Sequence, residues 1–168
     1  MTKTYSIPYK TGAPAPVIKT VSHTIAEVAD AYNWASGIHA DWYLDYEAST
    51  PEVHVTKGSQ GSGGTAGGSY SPTNETWRIL GYDGNGGGAF ITLPENRRIK
   101  SFSMTSSSIT GANGIRVSYY LGTTYQGRKD ISNSTGSIEF TKDCNILKLG
   151  FTQATPSAFV TEFTITYE

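Results

Sequence analysis

Two periods of hydrophobicity divide the chain. Ile25, Val28, Ala29 and Tyr32 recur at i, i+3, i+4 and i+7, the apolar stripe of a helix that buries one side. Thr24 followed by Glu27 spells a capping box: the hydroxyl meets a free N–H while the carboxylate reaches back to the cap. Gly37 offers a left-handed stop to this helix.

Beyond Gly37 the apolar positions alternate. Val53 and Val55 do so in EVHVT, Trp77 and Ile79 in ETWRIL, and Phe102 and Met104 in IKSFSM. Ile115, Val117, Tyr119 and Leu121 share one side of IRVSYYL, and Leu147, Leu149 and Phe151 one side of NILKLGF. Phe159, Thr161, Phe163, Ile165 and Tyr167 make the clearest run. With Trp42–Glu47, Phe90–Leu93 and the short piece at Ile138 and Phe140, this makes nine strands. Turn signals such as Asp83-Gly-Asn85-Gly and Gly111-Ala-Asn-Gly114 separate them. The expectation is an all-β fold: an antiparallel, jelly-roll-like β-sandwich with one short N-terminal helix.

Pro14-Ala-Pro16 cannot lie inside a central strand. Residues 1–21 are therefore read as an extended docking arm, and residues 22–168 as a single β-sandwich domain. The tract from Gly58 to Ser69 contains Gly58, Gly61, Gly63, Gly64, Gly67 and Gly68. Strand-like segments flank it closely and neither flank is complete alone, so it reads as a long loop within one domain. A phosphate cradle would need Gly-Lys-Ser/Thr before a helix, and Ser-Tyr-Ser-Pro leads instead into a strand. Long loops of this kind carry function or stay unordered; packing against a neighbouring subunit is the expected role here.

Charge narrows the partners. Thirteen Lys and Arg against fourteen Asp and Glu give no excess to neutralise nucleic acid. Arg97-Arg98-Lys100 and Arg128-Lys129 read as solvated turns or edges. Cys144 is the sole cysteine, so no disulfide forms within the chain. The opening MTKTYSIPYK lacks the apolar stretch of a secretion signal, and no window is long and apolar enough to span a membrane.

The run from GYDGNGGGAFITLPENRRIK through IRVSYYLG and SIEF to AFVTEFTITYE resembles the second half of a jelly roll of the galactose-binding-like and carbohydrate-binding-module group, over Glu75–Glu168. The richness in Gly, Ser, Thr and Tyr is similar to that of bacteriophage virion modules: capsid decorations, head fibres and tail parts. These resemblances imply a surface-contact protein with no cofactor, placed in a virion. Its partners would be other virion proteins, copies of itself or a host surface glycan.

Candidate contact residues are Trp34, Tyr43, Tyr120, Tyr125 and Asp83: aromatic faces stack on sugar rings or anchor protein interfaces, and a carboxylate pairs with hydroxyls. Trp42, Trp77 and Tyr119 fall on apolar sides and read as core. On a strand over Trp42–Glu47, Asp45 and Glu47 would share a face, the pairing a glycosidase or lyase needs. His23, His39 and His54 are scattered without metal-site spacing. No nucleophile elbow, dinucleotide fingerprint or metalloprotease helix is present, and a non-catalytic role is expected.

Overall fold

The computed structural model describes residues 16–58, 68–81, 88–110, 114–152 and 156–168. Asp83, Gly61, Gly63, Gly64, Gly67 and the first fifteen residues of the expected arm lie outside that set.

Eight strands form the centre of the molecule: β6 (Thr76–Leu80), β7 (Ala89–Thr92), β8 (Ile99–Ile109), β9 (Ile115–Leu121), β10 (Thr124–Ile131), β11 (Thr135–Glu139), β12 (Ile146–Gly150) and β13 (Ser157–Tyr167). They split between two antiparallel sheets in the orders β11-β8-β13-β6 and β10-β9-β12-β7. This is jelly-roll-like connectivity: apart from the β9–β10 hairpin, each of these strands is followed by one in the other sheet. The stretch after Glu75 is thus the whole eight-stranded roll and not its second half.

The first half of the chain widens this roll. β2 (Gly37–Ile38) and β5 (Ser69–Ser71) extend the first sheet past β6, while β3 (Asp41–Tyr43) and β4 (His54–Lys57) extend the second past β7. β1 (Lys19–Thr24) pairs with the second half of β13, Lys19 opposite Tyr167 and Thr24 opposite Glu162. The last residues given to the docking arm, Lys19–Val21, therefore lie on the chain's own sheet.

α1 (Ile25–Ala31) follows β1 directly. Thr24 Oγ1 accepts the Glu27 N–H at 3.2 Å, and Glu27 Oε2 accepts the Thr24 N–H at 2.8 Å, so the capping box is complete. Ile25, Val28 and Ala29 are buried in the common core, and α1 packs on β1, β6 and β13. The helix stops earlier than Gly37. Tyr32 is its C-cap, and Asn33 takes the left-handed turn at φ 53°. Asn tolerates that region better than most residues.

Alternation supplies the core. Trp42 of β3 meets Trp77 of β6 edge-on at 5.6 Å, joining the two sheets, and Trp77 leads on to Phe163 at 6.3 Å. All three are fully buried. Each contributes roughly 2–3 kcal/mol by leaving water. The ends of the glycine tract are pinned to this body. Gly58 N–H donates to Gly88 O at 2.7 Å, Gly68 N–H to Arg78 O at 2.7 Å, and His39 N–H to Gly68 O at 2.8 Å. Gly68 sits at φ +81°, and a Cβ there would crowd His39 O and the Lys57 side chain, so a larger residue would be strained.

Candidate functional site

The register of the six-stranded sheet lines up side chains from strands far apart in sequence. Tyr43 faces His54, His54 faces Thr92, Thr92 faces Ile146, Ile146 faces Tyr120, and Tyr120 faces Tyr125. The flanking residues Trp42, Val55, Ile91, Leu147 and Tyr119 are buried. The row itself must therefore point outward. At the usual spacing between strands it runs about 24 Å across the sheet. A second outward row lies beside it: Asp41, Thr56, Phe90, Lys148, Ser118 and Arg128.

Aromatic contacts organise both ends. Tyr43 stacks on His54 with centroids 4.7 Å apart, and His54 Nε2 donates to Asp41 Oδ1 at 2.5 Å. Tyr43 N–H donates to Tyr32 Oη at 3.0 Å, which fixes β3 against the end of α1. At the far end Tyr120 and Tyr125 meet at 5.5 Å and 65°, and Tyr125 is 54% exposed. Phe90 lies between these ends with the Lys148 ammonium 5.8 Å above its ring.

A β-bulge builds the β10 end. Tyr125 pairs with Tyr120 but Gly127 pairs with Tyr119, leaving Gln126 as the extra residue. On an unbroken strand Tyr125 and Arg128, three apart, would face opposite ways; the bulge restores them to one side. Glycine is required at its corner, because a Cβ at Gly127 would collide with the ring and hydroxyl of buried Tyr119.

Three sequence-predicted contacts, Tyr43, Tyr120 and Tyr125, thus fall on one row. Trp34 does not join them. It is half-buried beyond α1, stacked on His39 at 4.3 Å and edge-on to Trp42 and Tyr70 at 5.6 Å. Asp83 lies outside the described residues. His54, Thr92, Phe90, Ile146 and Arg128 were missed, because only cross-strand register brings them together. For His54, Phe90 and Thr92 the one sequence signal is position, between apolar residues that alternate inward; Ile146 and Arg128 carry no such signal.

The carboxylate pair departs from expectation. β3 ends at Tyr43, and residues 44–47 form a turn, so Asp45 and Glu47 share no strand face. Asp45 is buried, and its two oxygens accept the N–H groups of Glu52 at 2.8 Å and Val53 at 2.9 Å. That is a loop anchor. Glu47 is exposed.

Glu52 holds a separate network. It accepts from Lys19 Nζ at 3.0 Å, Arg97 Nε at 2.8 Å and Tyr167 Oη at 3.3 Å. Burial pushes the Glu52 carboxyl up, but the hydrogen bonds and charges of Lys19 and Arg97 outweigh it and hold it below its ordinary range. Burial, with the nearby Asp45 and Glu52 charges, pushes the Tyr167 phenol up to about 12, so it stays a neutral donor. Burial likewise pushes the Cys144 thiol up to about 12, which makes it an inert core group. Among the described residues, no three His, Cys, Asp or Glu side chains are grouped to hold a metal, and no helix is long and apolar enough to cross a membrane.

No protein-family model, curated protein or solved structure matches this chain.

Proposed function

We propose that the chain is a non-catalytic attachment module that lays the outer face of its six-stranded sheet against a glycan. The observation that carries this reading is the row from Tyr43 to Tyr125. Tyrosine rings at its two ends flank His54 and Thr92, which can serve sugar hydroxyls, on a surface spanning several sugar rings. Stacking on tyrosine and hydrogen bonding from side chains already held in place need no change of backbone. The virion setting, as a capsid decoration, head fibre or tail part, draws on composition: a Gly-, Ser-, Thr- and Tyr-rich sandwich with few charges. A glycan array probed with the wild type and with a Tyr120→Ala/Tyr125→Ala variant is the test. Binders that the double variant loses are expected; an array without binders, or binders indifferent to the variant, would end the reading.

One further observation favours assembly with neighbours in such a particle. Val17 and Ile18, leading into β1, are 71% and 64% exposed. Adjacent aliphatic side chains this open serve contacts more readily than folding. Solution mass is expected to exceed that of one chain and to fall in a Val17→Asp/Ile18→Asp variant. A wild type that remains monomeric at high concentration would exclude it.

A further inference from the structure

We infer that the glycan is an acidic one, and that Arg128 reads its carboxylate beside the Tyr120–Tyr125 pair; this rests on the carbohydrate reading above. The charge on the face is unevenly placed. Toward β3 it carries Asp41, hydrogen-bonded to His54. Toward β12, β9 and β10 the outward charges among the described residues are Lys148, Arg116, Arg128 and Asp130. Three cations there oppose one anion, although the whole protein is slightly acidic at a formal charge of −1. Asp130 faces Arg116 at 3.8 Å, which balances that pair. Arg128 is exposed in the neighbouring position, opposite Ser118.

The bulge makes this a built arrangement. Without Gln126 as an extra residue, Arg128 and Tyr125 would lie on opposite faces of β10. With it, the Tyr120 and Tyr125 rings and the Arg128 guanidinium share one surface. A guanidinium offers a planar fork to a carboxylate, and tyrosine offers its face to the sugar ring that bears it. A neutral sugar would use the tyrosines and leave the cationic end of the face unanswered.

The experiment is calorimetric titration of the full chain with oligogalacturonate, with neutral dextran oligosaccharide of similar length and with poly-glutamate. The wild type is compared with Arg128→Gln, Tyr125→Ala and, on the opposite face of the sandwich, Ser137→Ala. Oligogalacturonate is expected to bind most tightly, and Arg128→Gln to weaken it roughly tenfold, the size of one charge-assisted hydrogen bond. Tyr125→Ala should weaken it comparably, and Ser137→Ala should leave it unchanged. Dextran binding equal to oligogalacturonate and indifferent to Arg128→Gln would overturn this inference and leave the carbohydrate reading standing. Poly-glutamate binding as tightly as oligogalacturonate, dependent on Arg128 but not on Tyr125, would overturn it in favour of an acidic peptide. Absence of any glycan binding would remove both.

Discussion

The two outer faces of the sandwich are built from the same strand geometry and carry opposite chemistry. On the β1–β13–β8–β11 side, register aligns Thr20, Thr166, Ser101 and Glu139, then Ser22, Thr164, Ser103 and Ser137, then Thr24, Glu162, Thr105 and Thr135. All but the two glutamates are Ser or Thr. Several of these hydroxyls satisfy one another, as Thr20 and Thr166 do at 3.0 Å and Ser22 and Thr164 at 2.7 Å. Threonine suits a strand, and a hydroxyl is content in water, so these rows follow from folding and solubility alone; toward β6 the same side carries Phe159, covered by the Arg78 guanidinium 5.4 Å above its ring. The other face places four aromatic side chains outward on six strands. Nothing in folding requires them there. The contrast is the reason for proposing contact at the second face: the hydroxyl rows are what a wet sheet needs, and the aromatic row is more than it needs.

Substitutions can break this contrast at its supports. Asp45→Ala is expected to act most strongly, because it leaves the Glu52 and Val53 N–H groups without their acceptor and frees the loop behind β3. A loss of about 2–3 kcal/mol should appear in urea unfolding. Gly127→Ala follows, at about 1–3 kcal/mol, since Tyr119 cannot make room in a packed core. It should also lower glycan affinity, because it disturbs the bulge that aims Arg128. An unaltered unfolding midpoint would show that Tyr119 can move aside. Tyr125→Ala should change stability little and cost about 1 kcal/mol of binding.

Acid should act on the hydroxyl side. The Glu52 carboxyl is held below its ordinary value of 4.5. A depressed folded-state value means that its stabilisation is present above that value and is lost as pH falls through the folded one. Amide exchange in β1, which Lys19 ties to Glu52, should quicken in that acid range, and Glu52→Gln should flatten the dependence. Exchange in β1 that ignores pH would refute the tether. Ser103→Ala is expected to have the smallest effect, within about 0.5 kcal/mol, with binding untouched.

The elements whose apolar positions alternate were legible in the sequence: β6, β8, β9, β12, most of β13, and α1 with its capping box. In β13 the register shifts on either side of Val160, so Val160 is buried with Phe163, Ile165 and Tyr167, while Phe159 and Thr161, read as sharing their face, are only partly buried. What escaped did so for stated reasons. β10 reads TYQGRKDI, and its bulge breaks the period of two that reveals a strand. β2 and β5 are two and three residues long, too short to show a period. Trp42–Glu47 was read as one strand because apolar and acidic residues alternate there; the buried Asp45 bonds instead turn the chain after Tyr43. Individual tyrosines could be picked out as outward-facing candidates from their off-pattern positions. Their gathering into one row could not, because it depends on register between strands as distant as β3 and β10.

β13 has a consequence for how the protein is made. It lies between β8 on one side and both β6 and β1 on the other, yet it follows every one of them along the chain. While a ribosome is still translating, its partners would have to wait with their edges unpaired. The sheet that carries the hydroxyl face is completed only after Ser157–Tyr167 emerges, so most of the polypeptide spends its synthesis without its keystone, in the interval when chaperone capture or mispairing between nascent chains competes with success.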